Sequence, residues 1–220
     1  FIVGATSLVG TLPKYWQGLV HLKTAIIFGI PSIAAVFITR IFLVPLIPDH
    51  LFSISSLVIT IPVFIMVLFG FFMAFVSYSM IKDGITESED LQPQRFHYPM
   101  ILLEGTVIGM LTGLVGAGGG FSTIPALVVF SKLPMKMAVG TSLLIIAAKS
   151  LIGFTGDLAH YSMDWEMLLI VTASAIAGIF IGNAIQKIVP GEKLEKWFGW
   201  FVLGMGIFVV VKELFIQQVR

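Results

Sequence analysis

The strongest constraint on this sequence is where charge is missing. Leu51–Ile81 carries no Asp, Glu, Lys or Arg over 31 positions, Gly105–Ser131 none over 27 and Met167–Gln186 none over 20. About 20 apolar residues cross the hydrocarbon core of a bilayer as an α-helix. A soluble chain of 220 residues cannot bury several such helices at once. Charged residues make up 11% of the chain, against roughly 25% in a typical soluble domain, and mean hydropathy is +1.02. The sequence therefore predicts an all-α, polytopic transmembrane helix bundle in a lipid bilayer.

Other classes fall away on composition. The formal net charge of +1 gives no basic patch for nucleic acid, and the absence of cysteine removes disulfides, thiolate metal sites and cysteine nucleophiles. The opening FIVGATSLVG has no charged leader and reads as the middle of a helix rather than a signal peptide. The four histidines, His21, His50, His97 and His160, fall in loops or at helix ends without metal-ligand spacing, so no metal or cofactor is expected. No Ser/His/Asp set or paired carboxylates lie at membrane depth, so the chain does not read as an enzyme.

Residues 1–12 read as the tail of a spanning helix, followed by the loop PKYWQGLVHLK, a helix over 24–47, the turn PDH and a long helix over 52–82. The segment 83–99 holds four of the twelve acidic residues and two prolines and reads as a solvated linker. Apolar segments follow at 100–117, 120–131, 135–155, 165–187 and 194–216. Trp16, Trp165, Trp197 and Trp200 sit beside helix ends, as interfacial aromatics do, and Arg40 reads as an interface anchor.

An offset of 143 residues lays the two halves on each other. Ser7, Leu8 and Gly10 meet Ser150, Leu151 and Gly153, and Ile33, Ala34, Phe37 and Ile38 meet Ile176, Ala177, Phe180 and Ile181. This divides the chain into a first repeat at 1–82, the linker at 83–99 and a second repeat at 100–220. Nothing in the first half corresponds to residues 100–143, which predicts a longer natural chain with further residues before Phe1. Lys132, Lys136, Lys187, Lys193 and Lys196 belong in the cytoplasm by the positive-inside rule, with Asp157, Asp164 and Glu166 outside. The loop carrying Lys14 and Lys23 has the opposite polarity to its equivalent, which suggests inverted topology, a common transporter architecture. A parallel repeat is the alternative.

The segment GMLTGLVGAGGGFSTIP (109–125) is the strongest local signal. Gly109 and Gly113 form a small-residue face for close helix approach. Consecutive glycines weaken a helix by about 1 kcal/mol each, and in lipid a broken backbone survives only where protein or water satisfies it. Gly118, Gly119 and Gly120 therefore read as a break, with a new helix from about Ser122 and Pro125 in its first turn. Backbone N–H groups at such a start, with the hydroxyls of Ser122 and Thr123, can hold an anion. A structural kink is the competing reading.

The glycine run, the proline after it and AVGTSLLIIAAKSLIGFTGDLAH resemble the second repeat of the TauE/SafE sulfite-exporter family. FIVGATSLVGTLPKYWQG resembles the first. The resemblance covers nearly the whole chain and implies a multi-pass secondary transporter of the cell membrane, in bacteria the inner membrane, for sulfite, sulfonates or related small anions. A coupling proton or ion is a further partner. Thr141, Ser142, Ser150 and its counterpart Ser7 are candidate hydroxyl ligands, or else bond back to their own helix carbonyls. Lys149, the sole charge between Met137 and Gly156, either attracts the anion, forms a structural ion pair or snorkels to the outer interface. His160 and Asp157 read as solvated loop residues, with a proton-linked gate as the alternative. The competing function is a non-transporting helical scaffold or accessory subunit.

Overall fold

The computed structural model describes residues 1–44, 50–54, 57–82, 98–115, 120–158 and 165–216. The described residues form eight α-helices: α1 Ile2–Trp16, α2 Leu22–Ile38, α3 Ile61–Lys82, α4 Tyr98–Val115, α5 Gly120–Val129, α6 Met135–Leu158, α7 Trp165–Ile188 and α8 Gly191–Ile216. A π-helical turn, Thr39–Leu43, extends α2, so the continuous apolar stretch is Leu22–Leu43. Among the described residues five stretches are long and apolar enough to cross a membrane: Leu22–Leu43, Ile65–Lys82, Met135–Thr155, Trp165–Ile188 and Gly191–Glu213. Large apolar side chains such as Phe42, Phe71, Phe75, Leu103 and Ile181 are exposed around the outside, the surface a bilayer covers.

The bundle departs from the sequence reading at residues 50–60. A single helix was expected from position 52. His50–Ile54 and Leu57–Thr60 instead pair as an antiparallel hairpin, and α3 begins only at Ile61. The segment is rich in Ser and in the β-branched Val58, Ile59 and Thr60, which fit a strand better than a helix. Pro62 then opens the helix where a missing N–H costs nothing. The first helix is also longer than expected. It runs through Pro13 and stops at Gly18, whose φ of +70° turns the chain so that the N–H of Leu19 reaches the Lys14 carbonyl at 2.9 Å. The linker 83–97 lies outside the described residues.

Glycines set the closest helix contacts. Gly105, Gly109 and Gly113 of α4 lie in turn against Phe28, Ser32 and the Val36–Thr39 turn of α2 and its π extension. A Cβ at Gly105 or Gly109 would strike the carbonyl oxygen of Phe28 or Ser32. The two helices thus run parallel, with the small-residue face expected of Gly109 and Gly113 filled by α2. On α3 and α8, Gly70 meets Val210 and Gly206, and the Ser77 hydroxyl donates to the Gly199 carbonyl, so that pair runs antiparallel. The core between α2, α4, α5 and α6 is closed by Phe28, Ile108, Leu127, Leu133 and Ile145.

Helix α1 packs on both α6 and α7. Gly4 faces Leu151, and Gly10 faces Leu143 and Ile179, so α1 is antiparallel to α6 and parallel to α7. The ring of Phe1 lies 5.2 Å from Phe154 and 6.2 Å from Trp165 at one end of this group. At the other end Lys14, Lys136 and Lys187 come close enough to repel one another. α1 ends at Trp16 and α2 begins at Leu22, while residues 159–164, between α6 and α7, lie outside the described residues. The paired helices α1/α6 and α3/α8 point in opposite directions.

Candidate functional site

Depth is set by helix length. Helix α5 has 10 residues, which at about 1.5 Å per residue spans some 15 Å, half of a ~30 Å hydrocarbon core. Its far end leads through Ser131 and Lys132 to α6, whose first turn carries Lys136 at the lysine-rich end. The start of α5 at Gly120 therefore sits near mid-depth. α4 ends at Val115, and Gly118 and Gly119 lie outside the described residues. Gly120, the first described residue of α5, is already helical, and Pro125 lies inside the helix, where it leaves the Phe121 carbonyl without its usual N–H partner.

Ser122 and Thr123 on α5 are fully buried, as are Thr141 and Ser142 on α6, against which α5 packs. Thr141 Oγ1 accepts the backbone N–H of His21 at 3.0 Å, tying the α1–α2 loop to α6. The Ser142 hydroxyl donates to the Val139 carbonyl of its own helix at 2.9 Å. Ser7 is buried on α1, where its carbonyl accepts the Thr11 hydroxyl at 2.7 Å. The contacts of Gly4 with Leu151 and of Gly10 with Leu143 set Ser7 at the level of Ala147, about one turn from the partly covered Ser150.

Lys149 stands out. Its Nζ is buried and has no hydrogen-bonding partner among the described residues, so the ammonium neither surfaces at an interface nor joins an ion pair there. Helical side chains lean toward the helix N-terminus, which for α6 is the lysine-rich end. Lys149 lies 14 residues into α6, about 21 Å at 1.5 Å per residue. Leaning back brings its ammonium toward the level of Gly120. It shares a helix face with Ser142 and Ile145, the latter packed at Gly29 of α2.

Outside the spans, His21 caps α2. Thr24 presents its N–H at 3.2 Å and its hydroxyl at 2.7 Å to Nδ1, which assigns the ring proton to Nε2. Burial, and then the charge of Lys23, push the His21 pKa below its ordinary value. Arg40 is exposed near the end of its helix, and all four tryptophans are exposed. His160 lies outside the described residues, while Asp157 is the penultimate residue of α6. Among the described residues no cluster of three His, Asp or Glu could hold a metal.

Some buried polar groups escaped the sequence reading. Glu104 on α4 is buried, with Oε2 accepting the Ser131 hydroxyl at 2.7 Å and Oε1 unpartnered. It borders an apolar cavity of about 210 Å³ with Phe72, Val107 and Phe130. Its signal was available, because Glu104 is the sole charged residue between Arg95 and Lys132. Lys14, Asn183 and Gln186 meet at a second cavity, of about 370 Å³, between α1, α6 and α7. Their tertiary meeting had no local signal.

The family described as Sulfite exporter TauE/SafE matches residues 1–209. A probable membrane transporter protein of Xylella fastidiosa is 26% identical over 212 residues, covering 94% of this chain and 76% of that protein. The probable membrane transporter protein YunE of Bacillus subtilis is 25% identical over 122 residues, 52% of this chain and 45% of its own. A probable membrane transporter protein of Methanocaldococcus jannaschii is 27% identical over 117 residues, 50% of this chain and 44% of its own. No solved structure matches the chain.

Proposed function

The chain belongs to the TauE/SafE sulfite exporter family, and from that premise of a multi-pass membrane transporter we propose a secondary carrier for a small sulfur-containing anion, sulfite, a sulfonate or a relative. The observation that carries this reading is the buried, unpartnered ammonium of Lys149. A lysine at the centre of a spanning helix costs roughly 2.5–3.5 kcal/mol on insertion scales. An anion arriving beside it offsets that cost. The other half of the site is the start of α5, where the first N–H groups have no intrahelical acceptor and the helix dipole is positive. The buried hydroxyls of Ser122 and Thr123 stand in that turn, and Gly118 and Gly119 would supply the approach of bare backbone. Thr141, Ser142, Ser150 and Ser7 line the helices around it.

Alternating access follows from two halves of inverted topology rocking about this level. The opposed directions of α1/α6 and α3/α8 support that reading. A coupled proton would ride on Glu104, a role supported by one oxygen held by Ser131 and the other without a partner among the described residues. Proteoliposome flux of labelled sulfite tests the whole. Lys149→Met is expected to weaken anion binding by about 1.5–3 kcal/mol, tenfold or more in affinity, with normal membrane insertion. Unchanged affinity removes Lys149 from the site, and absence of flux in the unaltered protein favours a scaffold.

A further inference from the structure

The cavity of about 370 Å³ between α1, α6 and α7 has two unlike ends. Most of its wall is apolar, with Leu143, Ala175 and Ile179 beside glycines that leave the space open. At the other end three polar side chains converge, Lys14, Asn183 and Gln186. The contact of Gly10 with Ile179 on these parallel helices sets the register in which Lys14 falls level with Asn183. Lys14 is 3% exposed and Gln186 9% exposed. Gln186 Nε2 and Asn183 Oδ1 nevertheless have no partner among the described residues. A buried amide without a partner is costly, and a guest in the cavity would supply one. The charges that reach Lys14 are those of Lys136 and Lys187, both positive. A guest at this end is therefore best served by negative charge.

The cavity lies apart from Lys149. Gly140 sits on the Lys14 stem, nine residues down α6 from Lys149, about 14 Å along the helix axis. Its α6 wall, Val139 and Leu143, is turned about 100° around that helix from Ser142, Ile145 and Lys149. Small-molecule sites of about 300–1,000 Å³ join an apolar wall to a few convergent polar groups, and this cavity has that division. We propose that it is a second anion site, for an oxyanion head carried on a short apolar stem. Lys14 and the Gln186 amide donate to the head, and Leu143, Ala175 and Ile179 cover the stem. Turning the Asn183 amide by half a rotation presents its N–H groups in place of Oδ1, a third donor to the head. An alkanesulfonate has this form, and so does a lipid phosphate. The inference stands on the cavity alone and does not depend on which anion the chain carries across.

The test measures binding of labelled butanesulfonate to the full chain in a maltoside detergent, which carries no phosphate, with Lys149→Met present to disable the other cation. Binding should persist in that background and exceed that of methanesulfonate, which has the head without the stem. Adding Lys14→Met or Gln186→Leu should weaken it about tenfold or more. Gly178→Leu places its side chain in open space at the cavity wall, so it should exclude the stem while the melting profile stays intact. Without ligand, Gln186→Leu should hold or raise the melting temperature, because it removes a buried amide that has nothing to bond. A fall there would mark a structural role and overturn its place in the site. Added phosphatidylglycerol separates the two sources. Displacement of butanesulfonate that depends on Lys14 identifies the lipid head, and undiminished binding identifies a soluble guest. No binding to the unaltered chain, or an affinity unmoved by Lys14→Met, Gln186→Leu and Gly178→Leu, overturns the site and leaves the role of Lys149 untouched. Loss of all binding with Lys149→Met alone would equally overturn it, since the two sites would be one.

Discussion

A histidine that caps a helix through Nδ1 must stay neutral there, and His21 is held that way. Its ring accepts from Thr24 while its backbone N–H donates to Thr141 across the α1–α2 turn. Because the folded pKa lies below the ordinary 6.5, the unfolded chain binds the proton first as pH falls. The cap's stability is therefore complete above about pH 6.5 and is lost as pH drops through the lowered value. The protection factor of the Thr24 amide, its exchange rate relative to the free-chain rate at the same pH, should fall below pH 6.5, and His21→Ser, a cap without a titrating group, should flatten that profile. An unchanged profile in the variant would show that another group governs the turn. Thr141 is a related case. Thr141→Val removes the acceptor of the His21 N–H and leaves a polar group unpaired, a loss of about 1–3 kcal/mol. If Thr141 acts only in this structural way, thermal stability falls while the affinity of whatever anion still binds is unchanged.

At the level of elements, the same residue type has opposite value on different helices. A methyl at Gly109 has nowhere to go, because the Ser32 backbone occupies the place and Ala35 Cβ stands at 2.8 Å. Gly109→Ala should destabilise by about 1–3 kcal/mol through forced separation of α2 and α4. Gly178→Ala meets no atom within 4 Å and should stabilise by up to about 1 kcal/mol through helix propensity alone. Melting temperatures of the two variants in one detergent should move in opposite directions, and equal shifts would refute the packing account. This contrast also marks what the sequence could tell. Gly109 and Gly113 were legible as a packing face because four-residue spacing is a local pattern. Gly105 continues the same spacing and was equally open to that reading, whereas that Gly178 and Gly182, also four apart, remain open depends on which helix arrives from far away in the chain. The hairpin at 50–60 was lost to hydropathy, since an apolar β-branched run satisfies a spanning-helix criterion equally well. The lone charge of Glu104 in an apolar segment was visible in the sequence, but its pairing with Ser131, 27 residues away, depends on tertiary packing.

For the molecule as a whole, the seam between α1 and α6 is where any rocking of the halves must be felt. It joins residues from the two proposed repeats along antiparallel helices, from Gly4 on Leu151 to Gly140 on the Leu19 carbonyl, with Gly10 on Leu143 between them. It is closed by the Phe1, Phe154 and Trp165 rings at one end and the lysine group at the other. A close-packed contact of this kind has discrete arrangements rather than a continuum of them, so transport would require the seam to slip or tilt as a unit. The chain has no cysteine, so Gly4→Cys with Leu151→Cys introduces one defined pair. The contact at Gly4, with the Leu151 backbone N at 3.2 Å from an added Cβ, is tight enough for a disulfide to form across it. Oxidation should then arrest flux of a labelled sulfonate, which unlike sulfite does not cleave a disulfide, while its equilibrium binding persists, and reductant should restore flux. Binding and flux lost together would mean that the seam shapes the site itself. Flux that continues through the locked seam would show that the halves do not move there, and the alternating-access account would have to place its hinge between α3 and α8 instead.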